Sequence, residues 1–424
     1  MSHSRFLHRS RRLLGLSLLL TAGAQAQDAP PITLREALAA ALLKNPSLQA
    51  QAYEARIAEA RILQAGVRPN PELSVGAENF LGTGALSGVK SLETTLQLSQ
   101  LIELGDTRAR RIGAAEGERA LATADAELKR VEVLAEVARR FTEAVADASR
   151  LATARNAREL GEQTVAAVQA RVAAGAASPV ELNKARTTLA VLHIEEEHAE
   201  HELLVCRQSL AAILGEAQPN FGEARADLLA LPALPAFEAL AARLESSPLL
   251  TRFGTEARWR EAQEMLARSL RRSGARVSGG LRRVEQSDDF GLVASVSIPL
   301  PVRDQTAGAV REARERRAQL DAAAQAQRLE LRATLFALYQ EMLHARTALD
   351  QLRKTVIPTA EETLALVTQG YRDGRFPLTE LLGAQQSLGE LRGQAVANAA
   401  AFHLHVITIE RLLGAPLQTV AAQP

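Results

Sequence analysis

The sequence predicts a mainly α-helical chain with a small β part: long, duplicated α-helical hairpins plus four strands. Three observations predict it. There are two helical patterns of about 70 residues each, which corresponds to roughly 100 Å of helix. Short segments between helices alternate apolar and polar residues with period two, the mark of one-sided strands. Finally, the chain repeats itself: "VAAGAASPVELNKAR" from Val172 and "YRDGRFPLTELLGAQ" from Tyr371 share a frame. Gly175, Glu181, Leu182 and Ala185 recur 199 residues on as Gly374, Glu380, Leu381 and Ala384.

In chain order, the first element is a leader. Arg5, Arg9, Arg11 and Arg12 form a basic head, and "LLGLSLLL" (Leu13–Leu20) is too short to span a bilayer. Ala24-Gln25-Ala26 is an A-x-A signal, so residues 1–26 read as a signal peptide cleaved after Ala26. "SRRLL" from Ser10 also resembles a twin-arginine signal, which leaves the export route open. A helix is expected from Thr33, capped by a Thr33–Glu36 box and stopped at Pro69 and Pro71. The first β pair falls in 72–101, where Leu92, Thr94, Leu96 and Leu98 alternate with Glu93, Thr95, Gln97 and Ser99. A long helix from Asp106 to about Ala174 follows, then a tip near 175 and a return helix to Leu214.

"LPALPAF" (Leu231–Phe237) punctuates the chain with proline. Beyond it the same order recurs. A helix starts at Phe237, and a β pair occupies 275–300. There Val277, Gly279 and Leu281 alternate with Arg276, Ser278, Gly280 and Arg282. A long helix from Asp304 leads to a tip near 374 and a return helix to Leu413. "ALLKNPSL" (from Ala41) echoes "ARLESSPL" (from Ala242). The expected organisation is a first repeat over 27–230 and a second over 231–424. Gly175 and Gly374 suit the left-handed residue that ends a helix. Ser178-Pro179 and Pro377 suit the start of the next. Pro358, inside the second long helix, should kink it or mark a packing change.

Composition narrows the function. The 424 residues carry 50 basic and 49 acidic side chains, a net charge of +1, so nothing marks a nucleic-acid partner. Aromatic residues are only 3%. The single cysteine, Cys206, reads as a small packing residue within a helix. No catalytic triad, phosphate loop or dinucleotide fingerprint is present, so neither an enzyme nor a cofactor is expected. Four short strands with an apolar face cannot close a membrane barrel, which needs about eight or more. Copies of the chain must supply the rest, and the residues alone leave two or three copies open.

Several stretches carry a family resemblance. The leader, "ALLKNPSLQAQAYEARIAEARILQAGVRPNPEL", "LSQLIELGDTR" and "YRDGRFPLTELLGAQQSL" resemble the TolC-type outer-membrane efflux factors over essentially the whole mature chain. "ARILQAGVRPNPELSV" and "VSIPLPVRDQTAG" look most like the heavy-metal, CzcC-like branch. The resemblance implies a homotrimer with a twelve-stranded barrel in outer-membrane lipid, continued by a helical tube through the periplasm. It also implies two partners: a periplasmic adaptor, or membrane fusion, protein and an inner-membrane pump of the resistance-nodulation-division type. The expected function is a passive exit duct, with divalent heavy-metal cations as cargo. A duct for drugs or for type I protein secretion, a periplasmic coiled-coil adaptor and a soluble enzyme are the alternatives.

By the same resemblance, Arg171, Gly175, Ser178, Gly370, Tyr371, Arg372, Gly374, Arg375 and Phe376 would contact adaptor hairpins. A turn needs the glycines in any case. Tyr371 and Phe376 are expected as exposed aromatics, a composition that suits partner contact. Glu380 matches an acidic residue that lines the family's periplasmic constriction, while the family's next acidic position is Gly383 here. A carboxylate in the first turn of a helix is also favoured by the dipole alone. His193, Glu197 and His201 share one helical face and are the only metal-ligand candidates. A charged solvent face is the plainer reading of that stripe.

Overall fold

The computed structural model describes residues 30–271, 274–300 and 302–417. The leader and its Ala26 cleavage site lie outside the described residues. The opening helix is two helices, α1 (Leu34–Lys44) and α2 (Pro46–Gly66). Thr33 and Glu36 form the expected capping box on α1. Asn45 then leaves the helical region and accepts a hydrogen bond from the Leu48 amide, and Pro46 takes the first position of α2, where its missing N–H costs nothing. The second half breaks in the same way. Ser247 caps α6 (Pro248–Ser269) directly after α5 (Phe237–Leu244). The echo between Asn45-Pro46 and Ser247-Pro248 therefore marks a capped corner rather than helix interior.

Strands β1 (Glu72–Glu78), β2 (Glu93–Ile102), β3 (Ala275–Val284) and β4 (Asp289–Ser297) form one antiparallel sheet in that order. Directly paired residues share a face, so register fixes the composition of each side. Val75, Leu96, Leu281 and Leu292 form one row across all four strands. These four are exposed, with Leu292 at 88%. The opposite face is polar and cross-linked. Arg276 pairs with Glu72, Arg282 with Glu78 and Glu93, and Gln97 donates to Ser278 at 2.8 Å. Gly280 is needed where β3 crosses β2, because a Cβ there would sit 2.3 Å from the Leu96 carbonyl oxygen. The outer strands β1 and β4 each leave one edge unpaired in the chain.

Helix α3 (Thr107–Ala173) and helix α4 (Pro179–Ile213) pack as an antiparallel pair. Helix α7 (Ala307–Gln351) passes through a π-helical turn, Leu352–Val356, into α8 (Ile357–Arg372), and α9 (Leu378–Leu413) returns along them. Pro358 is the second residue of α8. It lacks an N–H and its ring crowds the carbonyl four residues back, so the preceding turn widens. This is the packing change expected at that proline. Three apolar clusters hold the helices. One gathers Val137, Phe141, Leu210 and Ala399 beside α1, another gathers Leu335, Met342, Phe402 and Ile409 beside α5, and the third lies at the tips. Cys206 belongs to the first, as its packing role requires, and burial pushes its thiol pKa up to about 12.

Candidate functional site

Both helical turns at the tips end alike. Gly175 has φ +72° and Gly374 φ +75°, the left-handed conformation that glycine adopts without steric cost. The Gly175 amide donates to the Val172 carbonyl and the Ala176 amide to that of Arg171. Gly374 and Arg375 donate likewise to Tyr371 and Gly370. These are paired Schellman bonds, which satisfy the last carbonyls of α3 and α8. Ser178 then caps α4 in a box with Glu181. Pro377 occupies the corresponding position before α9 and has no side-chain oxygen or N–H to form a box. Glu380, at the position matching Glu181, is therefore exposed and without an ion-pair partner among the described residues.

Tyr371 is not an exposed aromatic: only 2% of it is accessible. It packs with Val168, Ala185, Leu378 and Leu381 in the tip cluster. The Arg171 guanidinium covers it, 4.7 Å from the ring centroid, and donates to the Tyr371 and Arg372 carbonyls. The Tyr371 hydroxyl donates to Glu181 at 3.5 Å, and burial together with that carboxylate raises its pKa. Gly370 is buried as well, because a Cβ there would meet the Phe376 ring at 2.1 Å. Arg171 thus stitches the first tip to the second. What remains exposed at the second tip is Arg372, Gly374, Arg375 and Phe376, with Phe376 44% accessible. Arg375 is held by Asp373 at 2.6 Å.

Arg171→Ala should loosen this junction. It removes two charge-assisted hydrogen bonds across the junction, a third to Ala176 within its own tip, and a cation–π contact, together about 2–4 kcal/mol locally. Amide exchange over residues 369–376 should accelerate by at least tenfold. Arg171→Lys should not restore protection, because an ammonium lacks the guanidinium fork. Wild-type exchange in Arg171→Ala would rule out the stitch.

The histidine stripe does not gather. His193, Glu197 and His201 are all exposed on α4, and His198 reaches only Glu202, at 3.7 Å. Among the described residues no three His, Cys, Asp or Glu side chains are placed to hold one ion.

An apolar outer sheet face, a polar opposite face and long paired helices beneath define a membrane-associated channel subunit. No described helix is long and apolar enough to cross a membrane. The chain belongs to the outer membrane efflux protein family, whose model matches residues 37–216 and 265–415. It is 34% identical to the cobalt-zinc-cadmium resistance protein CzcC of Cupriavidus metallidurans over 92% of this chain and 91% of that one. It is 27% identical to the nickel-cobalt-cadmium resistance protein NccC of Alcaligenes xylosoxydans xylosoxydans over 77% and 74%. Among solved structures, CusC superposes with a TM-score of 0.73 at 16% identity, covering 90% of this chain and 92% of that one. The outer membrane protein VceC of Vibrio cholerae gives 0.71 at 16%, covering 91% and 97%.

Proposed function

We propose that this chain is the outer-membrane component of a tripartite efflux system, a passive duct whose cargo is divalent heavy-metal cations. The observation that carries this reading is the open sheet. Its apolar face suits lipid and its polar face suits water, yet β1 and β4 each leave an edge without a partner. Unpaired backbone groups are not tolerated in a bilayer, so the sheet must close with others. Three copies give twelve strands, the number that the family resemblance favours, and their helices continue the wall into the periplasm. The two tips are then the free end of the tube. There Arg372, Arg375 and Phe376 are accessible to a periplasmic adaptor, and through it to an inner-membrane pump of the resistance-nodulation-division type. Residues 27–230 and 231–424 are read as two copies of one plan.

Metal cargo is supported by the resistance names of CzcC and NccC. A deletion strain should become sensitive to cobalt, zinc or cadmium salts while its tolerance of hydrophobic drugs stays at the parental level. Drug sensitivity alone, or loss of a secreted protein, would instead assign the duct to those cargoes. Three copies of Glu380 would place a carboxylate ring at the tip constriction, which favours cations. Glu380→Gln is expected to move the reversal potential of single channels in a salt gradient toward zero. An unchanged potential removes Glu380 from this role.

A further inference from the structure

All four places where strand meets helix carry an exposed large apolar residue followed closely by arginine. Val67 precedes Arg68 before β1, and Leu104 precedes Arg108 after β2. Leu270 precedes Arg271 before β3, and Val302 precedes Arg303 after β4. The antiparallel register brings these four junctions to one end of the sheet. The charge there is lopsided. Arg68, Arg108, Arg110, Arg111, Arg271 and Arg303 stand against Glu103, Asp106 and Asp304. At the other end, the loop after β1 holds Lys90 alone, and the turn after β3 holds Glu285 and Asp288, both paired with Arg283.

Four of these six cations have no carboxylate partner among the described residues. Arg111 is engaged by Glu103 and by the Ala65 and Val67 carbonyls. Arg108 donates to the Gly66 carbonyl and Arg110 to the Met265 sulfur, and neither has a carboxylate partner among the described residues. Arg271 reaches Asp304 only at 3.8 Å. Arg68 and Arg303 are exposed, and neither takes part in an ion pair among the described residues. Beside Arg68 an open groove of about 480 Å³ is lined by Val67, Pro69, Asn70 and Arg111.

We propose that this rim is a docking collar for anionic phospholipid headgroups, on the reading that the sheet spans a bilayer. The apolar members continue the lipid-facing rows of the strands: Leu104 and Ile102 extend β2, and Ile298, Leu300 and Val302 extend β4. They end where acyl chains give way to headgroups, and arginine stems reach past them to the phosphates. A guanidinium matches a phosphate with two parallel hydrogen bonds. Basic side chains at such a surface each strengthen binding to anionic lipid about fivefold. The collar faces the leaflet on the helix side, and the acid-rich opposite rim has no corresponding attraction. The arrangement fixes both the depth and the orientation of the sheet.

The test uses the full mature protein in neutral detergent, titrated with phosphatidylglycerol or phosphatidylcholine. Lipids retained per assembly are counted by native mass spectrometry. Phosphatidylglycerol should be retained in clear preference. The double variant R68Q/R303Q should bind it roughly 25-fold more weakly, at about fivefold per arginine, with phosphatidylcholine unchanged. R68K/R303K should keep most of the preference. Equal retention of the two lipids, or an unaffected R68Q/R303Q, overturns the collar. So does displacement of phosphatidylglycerol by millimolar inorganic phosphate, which would mark a simple anion site. Flotation with phosphatidylcholine liposomes separates the two claims. A protein that floats but shows no lipid preference refutes only the collar, whereas one that does not float refutes the bilayer reading beneath it.

Discussion

Leu292→Arg is expected to abolish accumulation of the protein in the outer membrane, while the adjacent Val293→Arg leaves it there. The two residues are neighbours in β4 and point to opposite sides of the sheet. Leu292 completes the apolar row with Leu281, Leu96 and Val75, whereas Val293 pairs with Gly280 on the polar face. An arginine on the lipid side of a membrane strand costs about 2–4 kcal/mol near the midplane, and an arginine facing an aqueous lumen costs little. Each closed assembly carries the change once per copy, so the penalty multiplies. Membrane fractionation followed by immunodetection reads the outcome. Equal loss for both variants would mean that β4 is not a one-sided lipid strand.

Gly215→Val is expected to destabilise the helical part severely. Gly215 ends α4 at φ +84°. Its amide donates to Ala212 and that of Glu216 to Ala211. The turn is pinned against the corner between α1 and α2. Asn45 donates to the Ile213 carbonyl at 2.7 Å, and Lys44 pairs with Glu216 at 2.8 Å. A Cβ on Gly215 would sit 2.5 Å from the Lys44 carbonyl oxygen, a backbone atom that cannot swing aside. Left-handed strain adds about 1–2 kcal/mol, and the forced separation of α4 from α1 brings the total to about 4 kcal/mol or more. Gly175 is the control: φ is +72°, but nothing lies within 4 Å of its notional Cβ. Thermal unfolding followed by circular dichroism should shift at least twice as far for Gly215→Val as for Gly175→Val. Equal shifts would show that conformational strain alone decides both sites.

The parts of the fold that could be read from sequence are those with local causes. The Thr33–Glu36 box, the alternation in β2 and β3, and the tip glycines are each set by a few neighbouring residues. The helix breaks at Asn45-Pro46 and Ser247-Pro248 had a local signal too, a capping side chain before a proline, but the surrounding helical pattern masked it. Burial of Tyr371 could not be read, because its cover, Arg171, lies 200 residues away in the chain. An aromatic beside a turn looks exposed until the partner turn is in place. Phe376, with no such cover, met the expectation. Glu181 and Glu380 show the same limit. Both are third residues of their helices, yet only Glu181 has a capping serine and a tyrosine hydroxyl to meet. The arginine rim was invisible for a related reason. Its members are scattered singly along the chain, and only the register of the sheet brings them to one end.

On the proposed reading, one chain supplies a third of a wall. Native mass spectrometry of the mature protein, released from detergent, tests this most directly. A single species of three chains, insoluble once detergent is withdrawn, is the predicted result. A compact single chain that stays dissolved without detergent would contradict it.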